Sequence, residues 1–475
     1  MALPEENAQV GVGEEMTTTY KNTPYDQIEV GMEATYERTC SADDFYVSAH
    51  ASGDLNPIHL PKEDREGEGD FEGVAPSLWV ASLISAVLGN QMPGPGTLYR
   101  SQNLRFLGRA YEGDHLTARV KVTEKLPDYV VKLQTTVERA DGQMIVEGEA
   151  EVIAPRTSKI AKAVSLPGLT VRSYEHFERL LDLARPLPPL ITAVVAPEDR
   201  KSLGGALLAA ENTLIEPILI GDRDKIEDAA ERLGKDLAHC TILDVAGHTQ
   251  AAAQAVAMVR EGKAQAIMKG QLHTDVLLAQ IVKRDIGLRT DNRLSHVFVM
   301  DVPGLDHLLF ISDAAINISP DLEAKVDIVQ NAINLAQALG QQQPKVGILS
   351  AVETVNTKIP STLDAAILSK MAERGQIKGG IVDGPLAMDN AIDIDAAVTK
   401  GITSLVAGRA DVLVVPNLES GNMLAKELAF VAHAQVCGVV MGARCPVILT
   451  SRADDDKARL MSCAVALLYA ASQKA

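Results

Sequence analysis

Residues 76–90, PSLWVASLISAVLGN, are apolar on nearly every face of a helix, and Pro76 and Ser77 make a suitable first turn. A helix of that kind needs structure wrapped around it. Directly downstream, TLYRSQNLRFLG, DHLTARVKVTEKL, YVVKLQTTVERA and QMIVEGEAEVIA alternate apolar and polar residues at period two, with PGPG and ADGQ as turn signals. The alternation predicts an antiparallel sheet, and the order predicts a sheet curled around one long buried helix. Upstream, IEVGMEATYERTCSADDFYVSAHASGD reads as a strand, a Ser/Asp-capped helix and a turn. Residues 25–155 therefore read as one α+β domain, preceded by a polar, irregular lead-in over 1–24.

From about residue 190 the pattern changes. Short apolar runs recur between Ala-rich amphipathic stretches: ITAVVAP, EPILIGD, QAIMKG, HVFVMDVP, KVGILSAV, GGIVDGPL, ADVLVVPNL, GVVMGA and CPVILTS. Runs of this type are buried parallel strands, so residues 191–475 read as an α/β domain with a mostly parallel, doubly wound sheet. Such sheets place ligands at the C-terminal ends of their strands, where the polar residues here collect. Between the two domains, 156–190 reads as a linker containing RPLPPL and a short helix. A chain of 475 residues exceeds what one core serves, in agreement with two domains.

Charge and cysteine usage narrow the class of function. A formal charge of −18 and a pI near 5.0 leave no basic footprint for nucleic acid and would repel an anionic membrane. The five cysteines are odd in number, scattered and never in a CxxC pair, which argues against a disulfide framework and a thiolate zinc site. The N-terminus MALPEENAQVGVGEE is acidic without an apolar run, and no stretch sustains the roughly 20 apolar residues of a membrane helix. The expectation is a cytoplasmic protein of small metabolites, with reduced thiols and no metal.

ASGDLNPIHL, residues 51–60, carries the first candidate site. By residue type Gly53, Asp54 and Asn56 are turn formers. However, Asp54 and His59 are close enough to meet across the turn, and the apolar helix and sheet offer a groove for a long ligand. Phe45, Tyr46, Gly53, Asp54, Asn56, Pro57, Ile58 and His59 resemble the signature of the MaoC-type enoyl-CoA hydratases, a hot-dog fold family. ASLISAVLGNQMPGPGTLYRSQNLRFLG, 81–108, is similar to that family's central helix and following strand. Hydrating a 2-enoyl thioester requires a base for water, a proton for the α-carbon and donors for the enolate oxygen. The resemblance implies that Asp54 and His59 jointly activate one water, that Asn56 orients the turn or the water, and that the product is the (R)-3-hydroxyacyl-CoA. Backbone N–H groups between Gly73 and Ser77 are the expected oxyanion donors. Family members commonly carry His-Gly-Met where this chain has Pro76-Ser77-Leu78, and proline has no N–H to give. Trp79, the one tryptophan, reads as a core residue beside the groove.

A second set of polar clusters follows the apolar runs of the C-terminal half. MKGQLHTD offers Lys269, His273, Thr274 and Asp275; SAVETVNTKIPS offers Ser350, Glu353, Asn356, Lys358 and Ser361; DGPLAMDNAI offers Asp383, Asp389 and Asn390; NLESGNMLAK offers Gly421, Asn422 and Lys426. Each alone is a helix cap or a solvated loop as readily as a site. Together they are expected to converge on one edge of the sheet. DGPLAMDNAI, PNLESGNMLAK and the terminal LTSRADDD resemble the phosphate acetyl/butyryltransferases over about 190–475. The resemblance places Ser451 and Arg452 at the acyl centre. A carboxylate is the family's base for the CoA thiol, seven positions past the Ser in the acetyl branch. Ala458 stands there, and Asp454, with Asp455 and Asp456, is the substitute. An Arg expected near HTDVLL is replaced by Leu277 or Leu278, which resembles the butyryl branch and a larger acyl group.

An acyl phosphate needs cationic and N–H donors, and a thiol of pKa about 8.5 needs a base. Arg452 could grip phosphate bidentately while Ser451 donates to the tetrahedral oxyanion. The reading is thus a bifunctional acyl-CoA enzyme with CoA thioesters and phosphate as substrates, no bound cofactor, and homo-oligomeric assembly implied by both families. Two alternatives stand beside it: a hot-dog domain that only binds acyl-CoA or oligomerises, and a dehydrogenase in the second half. The latter lacks a GxGxxG after its first strand and three carboxylates at ligand spacing.

Overall fold

A computed structural model describes residues 19–60, 73–162, 169, 171, 174–449 and 456–473. The chain divides into two compact units at Val171/Arg172. The first unit runs β1 (Thr19–Lys21), β2 (Glu33–Thr39), α1 (Ala42–Ser52), α2 (Ser77–Asn90), β3 (Leu98–Phe106), β4 (His115–Leu126), β5 (Val130–Arg139), β6 (Met144–Ile153) and β7 (Ile160–Lys162). Strands β2-β4-β5-β6-β3 form the expected antiparallel sheet, and β1 pairs with β7 in a separate ribbon.

Helix α2 buries Val80, Leu83, Ile84, Val87 and Leu88 against this sheet, at the i, i+3, i+4 spacing of one face. Full enclosure was the expectation, and the structure corrects it. Ser77, Leu78, Ser82 and Ser85 face outward, and Leu78 is 73% exposed. The apolar reading of this helix overlooked the serines, whose small polar side chains tolerate solvent. The result is a hot-dog fold, a curved sheet with one helix along its concave face.

The second unit begins inside the expected linker. Helix α3 (Glu175–Ala184) buries Phe177, Leu180, Leu181 and Ala184 in the core of the second unit, so that stretch is built in rather than connecting. After it come β8 (Leu190–Val195), α4 (Arg200–Glu211), β9 (Ile215–Gly221), α5 (Arg223–Leu233), β10 (Thr241–Asp244), α6 (His248–Arg260), β11 (Ala266–Lys269), α7 (Thr274–Ile281), β12 (Ser295–Asp301) and β13 (Leu309–Ser312). The remaining elements are α8 (Leu322–Ala338), β14 (Lys345–Leu349), α9 (Pro360–Glu373), β15 (Ile381–Leu386), α10 (Met388–Ile392), α11 (Ile394–Thr399), β16 (Val412–Val414), α12 (Leu418–Phe430), β17 (Gln435–Met441), β18 (Val447–Ile448) and α13 (Asp456–Ser472).

One sheet of eleven strands, ordered β10-β9-β8-β11-β18-β17-β12-β13-β16-β14-β15, carries this unit. β10, β9, β8, β11 and β18 are mutually parallel, and so are β13, β16, β14 and β15. The pairs β18·β17, β17·β12 and β12·β13 between them are antiparallel. Three successive reversals leave the two parallel blocks running in opposite directions. Helices cover both faces, as the doubly wound reading expects, with separate cores on the two sides.

Candidate active sites

In the first unit the 51–60 stretch serves both readings at once. Ser41 caps α1 with a Ser41–Asp44 capping box, and Gly53, at φ 75°, ends the helix in the left-handed conformation that glycine adopts without strain. Asp54 follows immediately. Its Oδ1 accepts the Asn56 N–H at 3.1 Å, which makes the turn the residue types call for. Pro57–His59 then form one 3-10 turn. Asp54 and Asn56 are exposed and His59 is half-buried.

The imidazole is held from elsewhere. His59 Nδ1 lies 2.8 Å from the Val74 carbonyl oxygen, and Val74 N–H donates to the Ile58 carbonyl at 2.8 Å. A carbonyl only accepts, so Nδ1 carries the proton and Nε2 is left as the basic nitrogen. The contact joins the motif to the segment that leads into α2. Phe45 is fully buried and meets Trp79 edge to face at 5.8 Å, so Trp79 takes the core role expected of it.

The oxyanion side is more restricted than the sequence implied. Ala75 donates its N–H to the Ala110 carbonyl at 2.8 Å, and Val74 is engaged as described. Pro76, the N-cap of α2, has no N–H. Among the expected donors from Gly73 to Ser77, that removes Val74, Ala75 and Pro76. The first-turn N–H groups of Ser77, Leu78 and Trp79 have no intrahelical acceptor.

In the second unit the expected residues fall into two groups, which corrects the expectation of one sheet edge. Lys269 ends β11 and is buried, its Nζ donating to the carbonyls of Gly270 and Leu272 at 3.2 and 3.4 Å. Thr274 opens α7 beside it. The others follow strands of the oppositely directed block. Ser350, just past β14, shares a 2.8 Å hydrogen bond with Ser361. Asn356 and Lys358 belong to the turn before α9, where Asn356 N–H donates to Thr362 Oγ1 at 2.9 Å and Lys358 N–H to Asn356 Oδ1 at 2.9 Å. Asp383, in β15, accepts from Gly384 N–H and, at 3.4 Å, from the Ser369 hydroxyl.

Asp389 and Asn390 join an ionic cluster in this second group. Lys400 Nζ lies 3.0 Å from Asp389 Oδ2 and 3.4 Å from Glu353 Oε2, which also accepts from Asn390 Nδ2 at 3.4 Å. Its hydrogen bond from Lys400 holds the Asp389 carboxyl below the usual range, and the same bond holds the Lys400 ammonium up. Gly421 serves packing: a Cβ there would stand 2.6 Å from Val415 Cγ2 and 3.0 Å from Ala314 Cβ. Asn422 Nδ2 donates to the Ala314 carbonyl at 3.3 Å. Ser451, Arg452 and Asp454 lie outside the described residues; β18, which ends beside Met268 at Ile448, and α13 flank them.

A pocket of about 590 Å³ opens at the ends of β8, β9 and β11. Of the expected residues it includes Lys269 and His273. It also takes in Glu198, Lys201, Lys225, His248 and Arg459, which the sequence reading missed. One signal was available: Glu198 directly follows the apolar run of β8, at the end where doubly wound sheets bind ligands. The other residues are spread over the chain, and only the strand order brings them together.

Comparison with known proteins places this architecture. A family model described as phosphate acetyl/butaryl transferase matches residues 248–467, and one described as MaoC like domain matches residues 25–143. The phosphate acetyltransferase of Rhizobium meliloti is 58% identical over 299 residues, 63% of this chain and 95% of that protein. The chain belongs to the phosphate acetyl/butyryltransferase family. A phosphate butyryltransferase of Clostridium beijerinckii is 41% identical over 300 residues, again 63% of this chain and 99% of that protein. A branched-chain phosphotransacylase from Enterococcus faecalis V583 superposes with a TM-score of 0.52 at 30% identity, covering 59% of this chain and 99% of its own. In this acyltransferase a MaoC-like domain precedes the family's own. Among the described residues no helix is long and apolar enough to cross a membrane.

Proposed function

We propose that the chain is a bifunctional acyl-CoA enzyme, which hydrates 2-enoyl-CoA in its first unit and transfers acyl groups between CoA and phosphate in its second. The observation that carries the hydratase half is the His59–Val74 hydrogen bond, because it leaves Nε2 as the basic nitrogen, in the same motif as the exposed carboxylate of Asp54. Asp54 and His59 take a proton from water as its oxygen bonds to C3 of the enoyl thioester. The C2=C3 π pair moves toward the thioester oxygen as an enolate, and protonation at C2 restores the carbonyl. The product is the 3-hydroxyacyl-CoA, with the (R) configuration implied by the family. The first-turn N–H groups of α2 are the donors suited to the enolate oxygen.

In the second unit a carboxylate, for which Asp454 is the candidate, takes the CoA thiol proton. The thiolate forms a C–S bond to the acyl carbon while the C–O bond to phosphate breaks and phosphate leaves. Ser451 donates to the tetrahedral oxyanion and Arg452 pairs with the phosphate oxygens. Neither half-reaction changes an oxidation state, so CoA thioesters and phosphate suffice as reactants and no resident cofactor or metal is invoked. Homo-oligomeric assembly and a cytoplasmic setting belong to the same proposal.

A second reading has a specific observation in its favour. With the Ala75 N–H committed to Ala110 and Pro76 unable to donate, the first unit has lost oxyanion donors near the helix start. On that reading it is a non-catalytic acyl-CoA-binding or oligomerisation module. One experiment separates the two. Purified full-length protein is mixed with crotonyl-CoA while the enoyl absorbance is followed, and acyl phosphate formation is measured on the same preparation. Decay of the absorbance supports the bifunctional enzyme; intact acyl transfer with no decay establishes the module.

A further inference from the structure

A second pocket of the acyltransferase unit, about 660 Å³ in volume, opens at the opposite end of β11 and β18. Gln265 lines it just before β11 and Pro446 just before β18, whereas Lys269 and the segment leading to Ser451 and Arg452 follow the other ends of these parallel strands. It is therefore separate from the candidate acyl centre. Its lining also differs in kind. Five carboxamides, Gln265, Asn292, Asn331, Asn334 and Gln473, stand beside one carboxylate, Asp291, and one guanidinium, Arg444. The lining carries no net charge in a chain whose formal charge is −18, and carboxamides supply donors and acceptors together.

Three of these amides are fixed by the protein and left half used. Asn331, on α8, is only 2% exposed, and its Nδ2 donates to the Arg293 carbonyl and to Ser295 Oγ, both at 2.9 Å. A carbonyl only accepts, so the orientation of this amide is set, and both its N–H groups are used. Its Oδ1 accepts no bond among the described residues, an open acceptor on a buried side chain. Asn334, one turn along, is the converse. Its Oδ1 accepts from Gln330 Nε2 at 2.9 Å, the Gln330 amide being held by both backbone groups of Lys378, and its Nδ2 stays open. Gln265 repeats that arrangement, with Oε1 accepting the Ile191 N–H at 3.4 Å and Nε2 open. The rim is preformed: Arg444 N–H donates to the Leu288 carbonyl at 2.9 Å and Thr290 Oγ1 to the Gly442 carbonyl at 2.7 Å. Gly442, at φ 86°, lets this crossing lie over Asn331, since a Cβ there would stand 3.1 Å from Asn331 Nδ2 and 2.3 Å from the Arg293 carbonyl oxygen.

We propose that this pocket binds the base of a nucleoside. One open acceptor, Asn331 Oδ1, and two open donors, Asn334 Nδ2 and Gln265 Nε2, call for a ligand edge with one donor among acceptors. Nucleobases carry that pattern in a rigid plane, adenine as its N6 amino group between N1 and N7, and carboxamides are the side chains that pair with it bidentately. A polyol has a donor and an acceptor on every hydroxyl and gains nothing from a fixed pattern. The exposed carboxylate of Asp291 is of the type that accepts from a ribose hydroxyl, and the volume lies in the range that buries a whole small ligand. The inference does not depend on the acyl-transfer reading, because the pocket shares no residue with the groups that reading uses.

The test is calorimetric titration of the full chain with adenosine, guanosine and cytidine in turn, and with ribose as the sugar alone. Asn334→Asp and Gln265→Glu keep the oxygen that each native hydrogen bond uses and turn the open donor into an acceptor. Gln376→Glu, exposed and outside the pocket, corrects for the added negative charge. Thermal melting confirms that each variant folds. Binding of at least one nucleoside more tightly than ribose, with its Kd raised about tenfold by either pocket variant relative to Gln376→Glu, supports the site, and the nucleoside that binds identifies the base. Wild-type protein that binds no nucleoside, or binds ribose as well, overturns the proposal. So does nucleoside binding that neither pocket variant weakens beyond Gln376→Glu, which is the outcome expected if the base occupies a CoA site elsewhere.

Discussion

His59 Nδ1 lies 2.8 Å from the carbonyl oxygen of Val74, so the imidazole is oriented by the backbone ahead of α2 and not by Asp54. The two members of the proposed pair are therefore positioned independently. Asp54→Asn keeps an oxygen for the Asn56 N–H and leaves His59 where it is. Crotonyl-CoA hydration should fall by about 10²- to 10⁴-fold, the usual range for removing a general base, and acyl phosphate formation should not change. Hydration near the wild-type rate, measured by loss of enoyl absorbance, would sink the assignment of Asp54.

Gly421 was a sequence-level candidate for substrate contact, and its surroundings make a different forecast. Gly421→Ala should destabilise the second unit by about 1–3 kcal/mol, the cost of overpacking against Val415 and Ala314, with Val415 required to shift. A melting temperature equal to wild type would show that α12 relaxes away and that packing is not why glycine stands there.

His296 supplies a pH dependence. It is buried on β12, its Nδ1 has no hydrogen-bond partner, and burial pushes its pKa down to about 4 despite the nearby Asp313 carboxylate. The unfolded imidazole titrates near 6.5, so between about 6.5 and 4 the unfolded chain binds more protons than the folded one. The stabilisation from keeping this ring neutral is complete above pH 6.5 and is lost as pH falls toward 4. His296→Gln should flatten urea midpoints over that interval relative to wild type. An unchanged slope would mean that His296 is not the group responsible.

The buried thiols give a chemical readout. Burial pushes Cys445 and Cys463 up to about 12, and half-buried Cys240 is raised by burial and by Asp236. At pH 8 a disulfide reagent should modify Cys240 well ahead of Cys445 and Cys463, which should react only on unfolding. Peptide mapping of the labelled protein decides it, and early labelling of Cys463 would contradict its burial.

Each unit buries its own apolar cluster, with Phe45, Ile84 and Leu133 at the centre of the first and Phe177, Val297 and Phe310 at the centre of the second. Residues 1–171 and 172–475 expressed apart should each melt cooperatively by circular dichroism. A broad, non-cooperative transition for either would show that its core is incomplete alone.

The legible parts of this molecule were those written in local periodicity. The period-two runs of 98–153 became β3 to β6, and the apolar runs from Leu190 onward became the strands of the large sheet. Helix α3 was harder to read, although Phe177, Leu180, Leu181 and Ala184 have helical spacing, because the proline-rich RPLPPL next to it pointed to a linker. Strand direction was not legible at all. A buried strand looks alike in either direction, so nothing in HVFVMDVP announced that β12 and β17 would reverse the sheet and separate Lys269 from Ser350. The commitment of the Ala75 N–H was hidden likewise, since its partner Ala110 is remote in sequence.

Gly53 ends α1 at the residue before Asp54, and the carboxylate's bearing is therefore set by where that helix stops. Lengthening α1 by one residue would swing the following chain by about 100° around the helix axis. Anyone transplanting GDLNPIH into another scaffold would have to carry α1 with it, cap included, and the segment through Val74 as well. The portable unit is a helix, a turn and a distant carbonyl, and the seven-letter motif is only the part of it that is contiguous.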